Sequence, residues 1–300
     1  MKKALVLYSG GLDSRLAVQI LKEQNFKVEA LHFILPFGCG CCKQSCNFNF
    51  TQKSQVKLTT IDVTKNPLLK EYLKILKKPK HGIGSGINPC KDCKIFIFKK
   101  AKEYADKNKI EVIATGEVLG QRPMSQLRKA MQKIDEEIGY EILRPLSAKL
   151  LEETIYEKKG LINREKLFAI KGRGRKEQMK LAETYKIKYP TPGGGCFLCE
   201  SAPSKRLKFL LEKNLITEKT LPLTMIGRHF FIENSWLVVA RGEIESQIIN
   251  KYRYFIEDEI KKPSVYSSTK EGLIKAKELQ KVYSTGASEE QRNKFKKYKI

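Results

Sequence analysis

Long hydrophobic runs are missing from this sequence of 300 residues. A helix that spans a membrane needs about 20 consecutive apolar residues, and no segment approaches that length. The apolar run at residues 4–8 is also far too short to be the core of a secretory signal. We therefore expect a soluble, cytoplasmic protein that has no membrane partner.

Acidic residues are scarce relative to basic ones. The sequence has 33 Asp and Glu against 58 Lys and Arg, which gives a net charge of +25. Such an excess is typical of proteins that bind a polyanion, most simply a nucleic acid. The alternative is a lysine-rich proteome in which the charge mainly provides solubility. We favour RNA as the partner, because the chemistry inferred below needs one.

A Walker A loop is absent, but another glycine-rich junction follows the first predicted strand. Residues 9–14 read SGGLDS and lack the Gly-Lys-Ser/Thr ending of a Walker A loop. Glycine lets the backbone approach a ligand closely, and the N–H groups at a helix N-terminus favour phosphate or pyrophosphate. Ser9 and Ser14 can donate hydroxyl hydrogen bonds, and Asp13 can bind Mg²⁺. A junction that uses glycine only for its shape would not explain these three polar residues.

Strands rich in Val, Ile and Leu alternate with helices in the first part of the chain. We predict strands at 3–8, 28–34, 56–63 and 111–116, and helices at 12–24, 66–77 and 92–107. This alternation predicts an α/β fold with a doubly wound, mostly parallel sheet. Ligands of such sheets bind beyond the carboxyl ends of the strands, where the loops 9–14, 32–36 and 116–121 are expected to meet.

The second part of the chain has a different pattern. Residues 190–195 read PTPGGG, a strong breaker cluster, and strand-like runs and a lysine-rich helical end follow later. We predict a nucleotide-binding domain at 1–200 and a smaller α+β appendage at 201–300, which is a candidate for RNA binding. The basic run 171–176, KGRGRK, is either a solvated helix start or a contact with the phosphate backbone. The candidate RNA-binding residues are Arg122, Lys149, Arg173, Arg175 and Lys176.

The eight cysteines fall into three groups. These are Cys39, Cys41, Cys42 and Cys46; Cys90 and Cys93; and Cys196 and Cys199. Clustered cysteines in a cytoplasmic protein indicate metal or sulfur chemistry rather than disulfides. The two CxxC pairs are compatible with a four-thiolate zinc site, an iron–sulfur cluster, or a persulfide with a resolving thiol. The first group fits no common zinc spacing and is either a second metal site or a thiol-rich loop.

Three segments together resemble the PP-loop tRNA thiolation enzymes. Residues 9–14 are similar to the SGGxDS signature of the PP-loop ATPases, and residues 88–94, NPCKDCK, are similar to the NPCxxCN-type segment of the 2-thiouridylases. Residues 114–126, ATGEVLGQRPMSQ, resemble the TGESLGQVSSQ segment of the 4-thiouridine synthetases. The resemblance covers roughly residues 1–200. It implies that ATP adenylates a uracil carbonyl oxygen of tRNA and that sulfur then displaces AMP to give thiouridine.

The resemblance also implies roles for individual residues. ATP and Mg²⁺ would be bound by Ser9, Gly10, Gly11, Asp13, Ser14, Gly116 and Gln121, and His32 would lie near the adenine. In relatives with a 4Fe–4S cluster, a CxxC pair and one later cysteine hold it, which corresponds here to Cys90, Cys93 and Cys196. Cys199 is then a spare thiol or a fourth ligand. In relatives without a cluster, Cys93 and Cys196 would be the nucleophile and the persulfide carrier, so the catalytic candidates are Asp13, Cys93 and Cys196.

The leading interpretation is therefore an ATP-dependent tRNA sulfurtransferase. Two alternatives stay open: a PP-loop adenylating enzyme that acts on a small molecule, and an RNA-binding protein with a structural zinc site. The expected partners are tRNA, a sulfur donor (sulfide or a persulfide carrier) and a second copy of the chain in a homodimer. Because neither the N-terminal RNA-binding domain nor the rhodanese domain of the relatives is recognisable, we expect RNA binding from the basic surface or from residues beyond 215.

Overall fold

The computed structural model describes residues 2–38, 55–191, 195–259 and 262–300. The chain divides into two compact units, Met1–Cys199 and Glu200–Ile300. The cysteine group from Cys39 to Cys46 lies outside the described residues. None of the helices in the described ranges has the length and apolar character that crossing a bilayer requires.

The N-terminal unit is built on a parallel sheet of four strands. The strands are β1 (Lys3–Leu7), β2 (Lys27–Ile34), β3 (Lys57–Asp62) and β4 (Val112–Thr115). Their spatial order is β3-β2-β1-β4, so β1 lies in the interior of the sheet with Val6 opposite Ala30 on β2 and Ala114 on β4. Because β1 is followed by the SGGLDS loop, that loop lies at the carboxyl edge of the sheet, where ligands of this fold class bind.

Helices cover both faces of this sheet. They are α1 (Leu12–Glu23), α2 (Leu68–Lys77), α3 (Cys90–Lys107), α4 (Arg128–Ile138), α5 (Ile155–Lys158) and α6 (Lys176–Thr184). Ala4 and Val6 of β1 pack in one apolar cluster with α1, whereas Leu5 packs in a second cluster with α3 and α4. Successive strand residues point to opposite faces, so both faces are buried, and the predicted doubly wound α/β fold is confirmed.

The predicted elements agree with the observed ones, with two differences that affect the site. Helix α3 begins at Cys90 rather than at residue 92, so Cys90 and Cys93 both lie in its first turn. His32 was expected in the loop 32–36 but lies inside β2, which continues to Ile34 as the predicted strand does.

The C-terminal unit is an antiparallel sheet with helices. Its elements are α7 (Ser201–Glu212), β5 (Arg228–Ile232), β6 (Ser235–Val239), α8 (Glu243–Ile249), β7 (Phe255–Ile256), β8 (Val265–Ser267), α9 (Leu273–Val282) and α10 (Glu289–Lys296). The strand order is β5-β6-β8-β7. On one face Phe230 packs against Ala276 and Leu279 of α9. On the other, the ring of Phe231 meets Phe209 of α7 edge-on, with centroids 5.0 Å apart.

Candidate nucleotide and thiol site

The SGGLDS loop turns sharply from β1 into α1. Gly10 has φ +81°, a left-handed conformation that favours glycine over residues with a side chain. Gly11 is the N-cap of α1, and no side chain caps the helix, so the first backbone N–H groups stay available to an anion. The hydroxyl of Ser14 donates to the carbonyl of Gly11 at 2.9 Å, and the hydroxyls of Ser9 and Ser14 are 3.4 Å apart.

A buried arginine holds this loop in place. Arg15 is 4% exposed, and its Nε donates to the carbonyl of Gly10 at 2.8 Å. Its Nη1 donates to the carbonyl of Lys188, beyond α6, at 2.6 Å. Arg15 thus connects the left-handed turn to the segment that follows α6. Nothing in the sequence indicated this role, because an arginine in an amphipathic helix usually lies on the surface.

Asp13 has one carboxylate oxygen bound and one without a hydrogen-bond partner. Gln121 donates from Nε2 to Asp13 Oδ2 at 3.1 Å, while Oδ1 is buried and accepts no hydrogen bond. Burial raises the pKa of Asp13, and Gln121, Arg175 and Arg122 oppose that rise. An unpartnered carboxylate oxygen beside free loop N–H groups suits Mg²⁺, which binds one or two carboxylates together with phosphate oxygens.

Gly116 brings the end of β4 against the start of α1. A Cβ atom on Gly116 would lie 2.4 Å from the carbonyl carbon of Asp13 and 2.5 Å from the backbone nitrogen of Ser14. Only glycine allows such an approach between two backbone segments. The segment 116–121 is therefore held directly at the nucleotide loop, as expected for loops at neighbouring strand ends.

The basic run 171–176 lies beside the same loop. The backbone N–H of Gly172 donates to the carbonyl of Leu119 at 2.7 Å, and the charges of Arg122 and Arg175 act on Asp13. These two residues, predicted from the sequence as RNA ligands, are therefore located at the nucleotide loop.

The other residues predicted near the nucleotide or RNA have simpler surroundings. Lys149 forms an ion pair of 3.1 Å with Glu165, and Arg173 and Lys176 are exposed. The ring Nδ1 of His32 is 2.9 Å from the carbonyl oxygen of Tyr8 at the end of β1.

The two CxxC pairs come together although more than 100 residues separate them in sequence. Cys90 and Cys93 lie at the start of α3, and Cys199 ends the short 3-10 helix Phe197–Cys199. The backbone N–H of Ile87 donates to the carbonyl of Leu198 at 3.0 Å, which fastens this 3-10 helix to the chain just before α3. The thiol of Cys196 donates to the carbonyl of Phe37 at 3.3 Å.

The four thiols influence one another electrostatically. Burial raises the pKa of Cys196 to about 12, and Cys199, Cys93 and Cys90 contribute to the rise. Burial also raises the pKa of Cys93, although its contacts with Tyr72 and Lys94 oppose the rise. The thiols of Cys93 and Cys196 are therefore protonated at neutral pH in the absence of a ligand, and binding a metal would release their protons.

Two buried side chains are hydrogen bonded to the sulfur atoms. The hydroxyl of Tyr72 on α2 is 3.4 Å from Cys93 Sγ, and Asn88 Nδ2 donates to Cys90 Sγ at 3.2 Å. Tyr72 is 1% exposed and Asn88 is 4% exposed. Asn88 belongs to the NPC motif, whereas nothing in the sequence around Tyr72 indicated a role at the thiols.

The thiols do not form a preformed metal-binding site in the described residues. Within the described ranges, no group of three or more His, Cys, Asp or Glu side chains is arranged to hold a metal ion. The chemistry of the four thiols nevertheless fits zinc or an iron–sulfur cluster, because both prefer soft thiolate ligands. These residues are thus suitable donors that would need to converge when a metal binds.

A buried ion network connects the thiol helix to the nucleotide segment. Glu117, which follows Gly116, is 3% exposed and contacts Lys94 of α3 at 3.1 Å and Arg144 at 3.2 Å. Arg144 also binds both oxygens of Asp135, at 2.7 and 2.9 Å. Burial acts to raise the pKa of Glu117, but Lys94 and Arg144 outweigh it and hold the pKa below its ordinary value. Glu117 is therefore ionised at neutral pH.

Comparisons with known proteins agree with this arrangement. The family model described as "ThiI: Thiamine biosynthesis protein (ThiI)" matches residues 1–159. A probable tRNA sulfurtransferase of Finegoldia magna is 30% identical over 151 residues, which cover 49% of this chain and 36% of that relative. The tRNA-specific 2-thiouridylase MnmA of Petrotoga mobilis is 32% identical over 136 residues, which cover 39% of this chain and 36% of that relative. The chain thus spans little more than a third of the length of these relatives.

Among solved structures, "Crystal structure of a 4-thiouridine synthetase - RNA complex with bound ATP" is similar at a TM-score of 0.44. It is 19% identical, and the alignment covers 74% of this chain and 52% of that one. The family match includes the nucleotide loop, the first CxxC pair and Gly116, and it ends before Cys196. The C-terminal unit lies entirely outside it.

Proposed function

The chain belongs to the ThiI family, whose model matches residues 1–159 of its 300 residues, and we propose that it is an ATP-dependent tRNA sulfurtransferase. In this proposal ATP adenylates a uridine carbonyl oxygen of tRNA, and sulfur then replaces the adenylated oxygen to give thiouridine. Family membership confirms the resemblance to the PP-loop tRNA thiolation enzymes. The N-terminal unit would perform the chemistry, and the C-terminal unit would contribute to RNA binding.

The nucleotide loop supplies the groups that adenylation needs. Backbone N–H groups at the start of α1, together with the hydroxyls of Ser9 and Ser14, would bind the pyrophosphate part of ATP. Asp13 would hold Mg²⁺ through its free Oδ1, because Gln121 already engages Oδ2. Arg122 and Arg175 would stabilise the negative charge that develops as pyrophosphate leaves.

The thiols would supply the sulfur chemistry. We propose that Cys90, Cys93 and Cys196 hold a 4Fe–4S cluster, with Cys199 as a spare thiol or a fourth ligand. Held by three thiolates, such a cluster would leave one iron open to a sulfide or to the substrate. Tyr72 and Asn88 would orient the sulfur atoms of Cys93 and Cys90 through the hydrogen bonds that they already make.

The observation that supports adenylation most directly is the unpartnered Oδ1 of Asp13 at the loop. The test is pyrophosphate release by the full chain with ATP and Mg²⁺, in the presence and absence of tRNA. We expect tRNA to stimulate release, and Asp13→Ala to abolish it while RNA binding persists, because Asp13 contacts the metal rather than RNA. Unchanged release by Asp13→Ala would overturn the assignment, and release that ignores tRNA would favour a small-molecule substrate.

The thiol proposal has a separate test. After anaerobic purification, we expect about four irons per chain with a broad charge-transfer absorbance, both of which Cys90→Ala and Cys93→Ala should lose. Zinc without iron would instead indicate a structural thiolate site. A protein without metal would favour the persulfide route through Cys93 and Cys196.

A further inference from the structure

Arg206 of α7 carries a guanidinium group that has no partner among the described residues. Its Nε atom is buried and makes no hydrogen bond, and Arg206 forms no ion pair with any residue in the described ranges. The side chain as a whole is half-buried, and a partly desolvated charge without a hydrogen-bond partner or a counterion is unfavourable. An arrangement of this kind indicates a site that an anion completes.

A second arginine lies next to Arg206. Arg241, directly after β6, is exposed, and its charge acts on Arg206 and on His229. The nearby carboxylate of Glu245 does not neutralise either guanidinium. Its Oε2 instead accepts hydrogen bonds from the backbone N–H groups of Arg241, at 2.6 Å, and Gly227, at 3.1 Å. Two like charges are thus held together without a counterion in the part of the chain that the structure describes.

The third titratable group of this cluster, His229, is fixed in its neutral form. Its Nε2 donates to the carbonyl of Ile226 at 2.6 Å, and its Nδ1 accepts from Trp236 Nε1 at 3.0 Å. Both ring nitrogens are therefore used inside the protein. His229 therefore adds no charge beside the two guanidinium groups, whose charges act on its ring.

We propose that Arg206 and Arg241 form a binding site for an RNA backbone phosphate on the C-terminal unit. The planar guanidinium fork of arginine matches a phosphate group through paired hydrogen bonds. Lys205 and Lys208 on α7 are exposed, so positive charge continues along this helix, as a polyanion rather than a single small anion requires. The choice of RNA rests on the proposed tRNA substrate.

The test measures binding of an unmodified tRNA transcript to the full chain by fluorescence anisotropy over a range of NaCl concentrations. The variants are Arg206→Met, Arg241→Gln, the double variant, and Lys281→Gln as a control that removes an exposed charge from α9. Each phosphate contact contributes about 0.7–0.9 to the slope of log affinity against log salt. We expect the double variant to lose about 0.7–0.9 of that slope, the contribution of one phosphate, and to bind at least tenfold more weakly, whereas Lys281→Gln keeps the wild-type slope.

Thermal unfolding separates a binding role from a structural one. Arg206 has no partner to lose among the described residues, so Arg206→Met should keep or raise the Tm while it weakens RNA binding. A wild-type salt slope in the double variant, or a clearly lower Tm of Arg206→Met, would overturn the inference. If the wild-type chain binds tRNA with the expected slope but forms no thiouridine, the proposed function fails and the phosphate site stands. If it forms thiouridine and the double variant keeps the wild-type slope, the phosphate site fails and the proposed function stands.

Discussion

The close approach of Gly116 to Asp13 predicts a severe effect of a single methyl group. In Gly116→Ala the new Cβ would lie 2.4 Å from the carbonyl carbon of Asp13, whereas ordinary contacts begin near 3.4 Å. The segment that begins at Gly116 and the start of α1 must therefore separate by about 1 Å. A displacement of that size at a reacting centre costs about 100-fold in rate. Leu16 and Ile20 pack α1 tightly on the sheet, so the shift must be absorbed at the nucleotide loop.

The assay is tRNA-dependent pyrophosphate release under saturating tRNA, with ATP varied. We expect Gly116→Ala to lose about 100-fold in kcat/KM and about 1–3 kcal/mol of stability from overpacking. Gly174→Ala is the matched control, because no atom lies within 4 Å of its new Cβ, and it should behave as wild type. Wild-type pyrophosphate release by Gly116→Ala would refute the reasoning that this contact forms the site.

Two further predictions concern buried ionisable groups. Glu117→Gln should cost about 3 kcal/mol in the free energy of unfolding, because Lys94 and Arg144 lose their shared carboxylate while Arg144 keeps Asp135. The folded pKa of Glu117 is depressed, so its stabilisation is present above the unfolded pKa near 4.5 and is lost on acidification. The gap between wild type and variant in urea unfolding should therefore shrink below that pH, and a constant gap would contradict the assignment. Burial and the charges of Arg206 and Arg241 lower the pKa of His229 to about 3. Unfolded histidine binds a proton below about pH 6.5, so His229 should lower stability by about 1.4 kcal/mol per pH unit between about pH 6 and 4. His229→Gln should flatten that slope, and an NMR titration of the wild-type ring near pH 6.5 would contradict the prediction.

The sequence was sufficient for the nucleotide loop because all its determinants are local. A strand, a glycine pair and a helix follow one another within residues 3–23, and the polar side chains lie between them. The start of α3 was predicted two residues late. Pro89 and the NPC motif mark a helix boundary, but residue preferences alone do not identify the first helical residue. The alternation of short strands and helices was likewise enough for the doubly wound sheet.

The remaining parts of the site depend on contacts between distant segments. Glu117 and Arg144 are 27 residues apart, and Tyr72 reaches Cys93 from a different helix, so no periodicity indicates either contact. The role of Arg175 as an RNA ligand stays a prediction, because a basic run before a helix has the same composition whether it faces solvent, RNA or a nucleotide. Its position beside Asp13 follows from the backbone hydrogen bond between Gly172 and the segment after β4.

The most direct test of the central claim is a single reconstitution. Anaerobically purified protein is incubated with unmodified tRNA transcript, ATP, Mg²⁺ and sulfide, and the digested tRNA is analysed by mass spectrometry while AMP is quantified. We expect thiouridine and AMP in a one-to-one ratio, both dependent on ATP and both lost in Asp13→Ala. Thiouridine formed without ATP, or AMP formed from ATP with tRNA that gains no sulfur, would contradict the proposed mechanism.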